Sequence, residues 1–465
     1  MRAARIAKDS TLAAFVRGDA WVKLSAIVWG VGCFSRKQIL KGVLLCLEEA
    51  VFLLGIALTW PSIGKLAALG TVQAERIWDA ELRRTVWNDY DNSFLILLFG
   101  VIGVLLTVAF LMQCARMVKH AYIASQRTVQ PTFREDAARY LGRDFHRTLL
   151  AAPVTGAVVT LAIPLLVMVL IAFTNYDRNH LPPTNLFTWV GLENFRQLTG
   201  LGSSGSFGYA FRRVLTWTLT WAVTATLSCY AGGIGLAMLV GSRRTLAKPF
   251  WRTCFMIAMA VPQFVSLLLV RNLFADVGLV NTLLKSWGVT DWLHRAGLIP
   301  TANVVPFLTH PTWARVMILL INLWIGVPYQ MLIATGVLLN IPPDMAEAAR
   351  IDGANGYQIF RRITAPWLLH VTSPILVTGM VLNINNFSVI WLLTRDVYVT
   401  ADQQLAAAGA TEVDLLVTWL YRLTQDQSNY KMASVIGLLV FAVCSLLTLL
   451  AFGRLTRSGR EEVFQ

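Results

Sequence analysis

The chain has 465 residues, 56% of them apolar and only 14% charged, with a mean hydropathy of +0.57. That balance excludes an ordinary soluble domain, in which charged residues approach about a quarter of the chain. The net charge of +14 asks for an anionic neighbour, and the placement of the basic residues decides whether that neighbour is nucleic acid or membrane.

Residues 1–41 are basic, with Trp21, Trp29 and Phe34 interleaved. Such a segment suits a helix lying along the cytoplasmic face of a membrane. A helix needs roughly 20 apolar residues to cross the hydrocarbon, and eight stretches are long enough: 42–60, 94–112, 149–173, 214–240, 251–275, 313–338, 367–394 and 433–453. The first span carries Glu48 and Glu49, and intramembrane carboxylates are functional candidates by default. The outer loop 61–93 holds Trp78 and Trp87, and the polar, arginine-rich segment 115–147 is the expected main domain boundary. The expected organisation is therefore an amino-terminal segment 1–41, two peripheral spans in 42–114, a linker 115–147, a six-span core 148–453 and a tail 454–465.

Of the 40 lysines and arginines, 25 fall in 1–41, 113–148, 241–252, 340–366 and 454–465. The positive-inside rule puts those segments, and both termini, in the cytoplasm. The bias explains the net charge through membrane lipid, without nucleic acid. The six cysteines have no paired spacing and read as small packing residues, with neither a disulfide framework nor a metal site. Gly200 and Gly205 belong to a formal GxGxxG, but no strand precedes it and it falls outside the cell, so it reads as a loop. GxxxxGK[ST], HExxH and GxSxG are absent from the sequence, so any energy source is another subunit or an ion gradient. Pro262, Pro328 and Pro374 lie inside spans five to seven, where a bent helix is tolerated beside a neighbour or a cavity.

Two amide-rich patches lie within the core spans. In the first, Asn322, Gly326 and Tyr329 fall at i, i+4 and i+7 on one helix face; in the second, Asn383 and Asn386 fall at i, i+3. Amides suit a ligand rich in hydroxyls, a tyrosine ring suits the apolar face of a pyranose, and the absence of basic residues favours a neutral ligand. The alternative is that these asparagines bond helix to helix.

Between those patches lies a polar island, Ile341 to Leu368, with three acids and three arginines. Asp344 and Glu347 have capping-box-like spacing after Pro342-Pro343, Gly353 suits a left-handed helix end, Gly356 opens a second segment and Pro366 closes it. The bland alternative is a solvated loop. Glu347-Ala348-Ala349, Asp352-Gly353-Ala354, Phe360, Ile363 and Pro366 resemble the EAA loop of ABC importer membrane subunits. One departure is Ala365, where that family usually has leucine.

From the segment Ala172–Phe195 to residue 453 the chain is similar to oligosaccharide ABC permeases, above all the larger, F-type membrane subunit of maltose and maltodextrin importers. The resemblance implies an all-α polytopic protein with a type I permease core in the bacterial cytoplasmic membrane. It implies sugar contacts at Asn322, Gly326, Tyr329, Asn383 and Asn386, and ATPase coupling through Glu347, Ala348, Ala349, Asp352, Gly353, Ala354 and Pro366. Leu382 replaces a phenylalanine and Gly379 a serine of the pattern, which leaves the exact sugar open. The implied partners are a second homologous permease, two ATPase subunits that use ATP and Mg, and an extracytoplasmic solute-binding protein. This chain would bind no cofactor and do no bond chemistry. Rival readings are another glycoside or a polyol as cargo, an ion-coupled secondary transporter, and a membrane-embedded glycosyl transferase.

Overall fold

A computed structural model describes residues 11–79, 83–126, 130, 132–142, 145–200, 205–242 and 244–462. Residues 201–204 of the glycine-rich stretch, the first ten residues and the last three lie outside the described residues, as does part of the expected linker. The chain forms two compact units, Met1–Gly191 and Leu192–Gln465.

In the first unit, α1 (Thr11–Arg17), α2 (Ala20–Leu24) and α3 (Val31–Phe34) precede the long helices α4 (Ile39–Lys65) and α5 (Ser93–Ser125). The short helices pack on the last turns of α5, where Ala14 and Val22 meet Val118, Ala121 and Tyr122. Trp29 fixes this arrangement. Its ring stacks on Phe110 at 5.2 Å and meets Phe52 edge-on at 5.6 Å. Its backbone amide donates to Glu49 Oε2 at 3.0 Å, and its indole N–H donates to Cys114 Sγ at 3.3 Å. Glu49 is therefore a buried acceptor that anchors the amino-terminal helices, while Glu48 accepts from Gln113 Nε2 at 3.2 Å. Between α4 and α5 lies a small antiparallel hairpin, β1 (Arg76–Asp79) and β2 (Arg84–Trp87), with Arg76 opposite Trp87. It is the one sheet among the described residues and an addition to the all-α reading.

Helices α6 (Phe133–Leu141), α7 (Phe145–Ala157) and α8 (Ile163–Ile171) complete the first unit. The division between units falls after α8, later than the expected boundary in the linker. The loop after α8 is tied back to α4 and α5. Trp189 donates its indole N–H to the Leu66 carbonyl at 3.0 Å, and Tyr176 stacks on Phe187 at 4.6 Å beside Phe94.

The second unit begins with α9 (Glu193–Thr199) and α10 (Gly205–Gly241), followed by α11 (Lys248–Ala260), α12 (Gln263–Leu273), α13 (Leu279–Ser286) and α14 (Val289–Arg295). Then come α15 (Pro311–Leu339), α16 (Pro343–Ile351), α17 (Gly356–Ile359), α18 (Ala365–Ile384), α19 (Phe387–Thr394), α20 (Gln403–Ala407), α21 (Leu416–Gln425) and α22 (Tyr430–Glu462). Among the described residues, seven helices are long and apolar enough to cross a membrane. The span expected at 251–275 is divided into α11 and α12, because Val261 and Pro262 are extended (ψ of 128° and 126°).

This broken segment still has a crossing to make. Helices α10 and α15 run parallel, since Trp217 meets Arg315, Cys229 meets Asn322 and Gly233 meets Gln330. If both cross, the chain between their ends returns across the bilayer, and α12 is the shorter apolar helix that the described residues offer there, with α11 leading into it. An apolar cluster at one end of the unit includes Trp217, Trp221, Ile318 and Val389. A smaller one, with Met331, Ala334 and Leu368, lies at the other end.

Pro328 and Pro374 lie within α15 and α18, whereas Pro262, Pro164 and Pro366 are accommodated in two other ways. Pro262 sits in the break itself. Pro164 and Pro366 each follow a wide π turn, Val158–Ala162 and Phe360–Thr364, closed by bonds from Ile163 to Val158 and from Ala365 to Phe360. A π turn absorbs the missing amide and the ring clash with the preceding turn, so the helix continues.

The loop after α19 is held by carboxylates. Glu412 accepts from the Tyr398 hydroxyl at 3.0 Å and the Asp402 amide at 3.2 Å. Burial raises its carboxyl, but hydrogen bonds from Thr400, Tyr398 and the Asp402 amide outweigh this and hold it below its ordinary value. The Tyr209 hydroxyl holds Asp402 down in the same way. Depressed carboxyls stabilise above their unfolded values, about pH 4, and that stability is lost as pH falls through the lower folded values. Amide exchange across residues 398–414 should therefore be the same at pH 7 and pH 5 after correction for intrinsic rates, and rise steeply only in stronger acid. Loosening at pH 6 would contradict the assignment.

Candidate functional site

The polar island folds as a helical hairpin. Helix α16 starts at Pro343 with Pro342 as its cap residue, and no side chain caps it. The expected Asp344–Glu347 capping box does not form. A proline at the cap has no side-chain acceptor, and Pro343 has no amide to satisfy, so Asp344 serves only as an acid in the first turn, against the positive helix end. The capping box is instead Asn355–Gln358, with Gln358 N–H to Asn355 Oδ1 at 2.9 Å and Asn355 N–H to Gln358 Oε1 at 2.8 Å.

Gly353 ends α16 as expected, at φ +81°. Its amide donates to Arg350 at 3.0 Å and that of Ala354 to Ala349 at 2.9 Å, the paired bonds of a Schellman ending. Space around its missing Cβ is open, so the backbone angle alone demands glycine here. Pro366 does not close the second segment, because the π turn before it carries the helix onward into α18. From Gly356 to Ile384 the chain is one helical rod. Leu368, fully buried among Met331 and Ala334, anchors it in the unit.

The hairpin is otherwise uncovered. No residue of α16 or α17 is buried. Glu347, Ala348, Asp352, Gly353 and Pro366 are exposed, while Ala349 and Ala354 are half-buried. Ile351 is 87% and Tyr357 68% exposed. Apolar side chains displayed on a charged hairpin form a contact face.

The amide patches sit deeper and are engaged. Asn322 is buried; its Nδ2 donates to Cys229 Sγ at 3.5 Å, and its carbonyl accepts from that thiol at 3.7 Å. A Cβ on Gly326 would lie 2.7 Å from Cys229 Sγ, so α15 and α10 touch here. Asn383 Nδ2 donates to Thr226 Oγ1 at 2.9 Å, and its carbonyl accepts the Trp221 indole N–H at 3.0 Å. Asn386 caps α19 by accepting from the Val389 amide at 3.3 Å, and its Nδ2 reaches Asn383 Oδ1 at 3.5 Å. Asn322, Asn383 and Asn386 thus bond between helices in this conformation, and Gly326 packs against Cys229.

Tyr329 stands apart from them. It is 52% exposed and lines an open cleft of about 370 Å³ with Trp324, Val261, Pro262, Gln263 and Ser266. Two aromatic rings face an amide and a hydroxyl across this cleft, a composition suited to the apolar faces and hydroxyls of a sugar. Gln263 and Ser266 were not singled out in the sequence; the Pro262 break, which turns the start of α12 toward α15, was the available signal.

A helical membrane protein with a broken span beside a cleft and an uncovered surface hairpin fits a translocation subunit, a permease. Residues 233–460 match the family described as "Binding-protein-dependent transport system inner membrane component". The chain belongs to that family. It is 31% identical over 448 residues to the maltodextrin transport system permease protein MalC of Streptococcus pneumoniae serotype 4, covering 95% of this chain and 97% of the relative. It is also 31% identical to the maltodextrin permease MdxF of Bacillus subtilis (95% and 96% covered), and 30% identical to the galactooligosaccharide permease GanP of the same organism (94% and 98%). Among solved structures, a chain of a bacterial ABC transporter that imports the acidic polysaccharide alginate shares the fold. Its TM-score is 0.51 at 22% identity, covering 70% of this chain and 99% of that one.

The contact between α10 and α15 gives a direct test. Gly326→Ala should cost about 1–3 kcal/mol through overpacking against Cys229, read as a lower melting temperature in detergent. Adding Cys229→Ala removes the obstructing sulfur and should recover most of the loss. Failure of the second change to rescue would show that Gly326 is constrained by something else.

Proposed function

We propose that this chain is the permease subunit that carries a neutral oligosaccharide, maltose or maltodextrin, through the inner membrane in an ATP-binding-cassette importer. The observation that carries the reading is the unbroken rod from Gly356 to Ile384, which joins the exposed hairpin to the helix bearing Asn383. Force applied at the hairpin reaches the amide patch without passing through a flexible joint.

In this reading the hairpin lies in the cytoplasm with both termini and engages one of two ATPase subunits, which use ATP and Mg. Glu347, Ala348, Ala349, Asp352, Gly353, Ala354 and Pro366 belong to that contact region. A second, homologous permease completes the cavity, and an extracytoplasmic solute-binding protein delivers the sugar, as the family's description suggests. Cargo passes the Trp324–Tyr329 cleft and exchanges hydroxyls for the contacts now made by Asn322, Asn383 and Asn386, with Gly326 leaving room at the helix crossing. The two maltodextrin permeases among the relatives support a glucan as cargo; the galactooligosaccharide permease makes another glycoside the second reading.

Reconstituted with its partners, the complex should import labelled maltodextrin only with internal ATP, and a protonophore should not stop it; uptake driven by an ion gradient alone would overturn the ATP-coupled mechanism. Gly353→Trp should reduce uptake at least tenfold while the protein still inserts, because the Schellman ending fails; normal uptake and normal ATPase stimulation would remove the hairpin from coupling. Trp324→Ala with Tyr329→Ala should raise the half-saturating sugar concentration about tenfold or more, as expected for two lost stacking faces, and leave assembly intact. An unchanged value would exclude the cleft from the cargo path.

A further inference from the structure

A second cavity, of about 510 Å³, opens where α10 and α15 begin, at the end of the unit away from the hairpin. Tyr209, Arg212, Arg213, Trp217 and Arg315 line it, with Thr216 and Thr220 on its wall. Arg315 is fixed in place. Its guanidinium donates to the Glu412 carbonyl, from Nε at 3.1 Å and from a second nitrogen, and lies 4.6 Å over the Trp217 ring. Arg212 and Arg213 are exposed, and neither has a hydrogen-bonded carboxylate among the described residues. The acids nearby are already engaged. Asp402 accepts the Tyr209 hydroxyl at 2.8 Å, and Glu412 accepts from Tyr398 and the Asp402 amide.

Three guanidiniums converge on one open space against two carboxylates, Asp402 near Arg213 and Glu412 near Arg315, and the net positive charge that remains favours an anion. The depth of the pocket says which kind. The hydrocarbon is expected to begin at residue 214, which puts Arg212 and Arg213 at headgroup level and Trp217 one turn deeper. Below them the exposed face of α10 continues as Leu219, Val223 and Leu227, each four residues on. The threonines between conceal their polarity: the hydroxyls of Thr216, Thr220 and Thr224 donate to carbonyls four residues back at 2.7, 2.8 and 2.7 Å. A cationic mouth above an apolar track matches a lipid, whereas a soluble anion needs only the mouth.

We propose that this cavity holds the phosphodiester headgroup of an anionic phospholipid, clamped by Arg212 and Arg213 beside the fixed charge of Arg315, with an acyl chain along Leu219–Val223–Leu227. The inference rests on α10 and α15 crossing the membrane and does not depend on the nature of the cargo.

The test uses the full chain, purified with the subunits that accompany it, in nanodiscs of phosphatidylcholine with or without phosphatidylglycerol. Native mass spectrometry after detergent release counts the phosphatidylglycerol retained. Arg212→Gln with Arg213→Gln should lower retention roughly tenfold, with melting in pure phosphatidylcholine unchanged; Arg212→Lys with Arg213→Lys should recover part of it. Millimolar inorganic phosphate should not displace the lipid. Equal retention by the parent and the glutamine pair would overturn the proposal. So would displacement by phosphate or by a soluble uronate, which would make the site one for a free anion.

Discussion

Inside a bilayer no amide, carboxylate or guanidinium can borrow a hydrogen bond from water, so each must find its partner within the protein. That constraint fixes the register of the helices that matter most here. Asn322 pairs with Cys229, Asn383 with Thr226 and with the Trp221 indole, and Tyr230 shares a 2.6 Å hydrogen bond with Thr372. Together these hold α10, α15 and α18 as one set. In the first unit Glu49 meets the same demand by receiving the Trp29 amide. An acid that reads in isolation as a functional candidate is there a structural anchor.

The same bonds bear on transport. In the proposed mechanism, amide groups that bond across helices in this conformation exchange those partners for sugar hydroxyls in another, since an amide offers both donors and an acceptor. The proposed coupling element uses a proline that would ordinarily end a helix but is carried through by a π turn, so that α17 runs on into α18, the helix bearing Asn383.

Much of this was legible from residue order. Hydropathy located the spans, and the glycine at 353 predicted the left-handed helix end that the structure has. The period of α15 put Asn322, Gly326 and Tyr329 on one side, yet the structure divides them between a helix contact and an open cleft. That division depends on Cys229 and on the start of α12, both remote in sequence, and no local pattern encodes it. The Asp344–Glu347 box failed for a local reason, the proline at the cap, and Asn355 with Gln358 had the same signature three residues apart. The span at 251–275 read as continuous because hydropathy is blind to one extended dipeptide. Pro262 was visible, but whether a proline bends a helix or breaks it depends on what packs beside it.

In the proposed mechanism the hairpin and the amide-bearing helix move as one body while the cleft beside them changes width. Spin-label distances in the reconstituted complex test this most directly, with one pair at Tyr357 and Leu382 and another at Gln263 and Trp324, recorded with and without a non-hydrolysable ATP analogue. The account predicts that the first distance stays constant and the second shifts by several ångströms. A first distance that changes, or a cleft that stays fixed in a complex competent for transport, would contradict it.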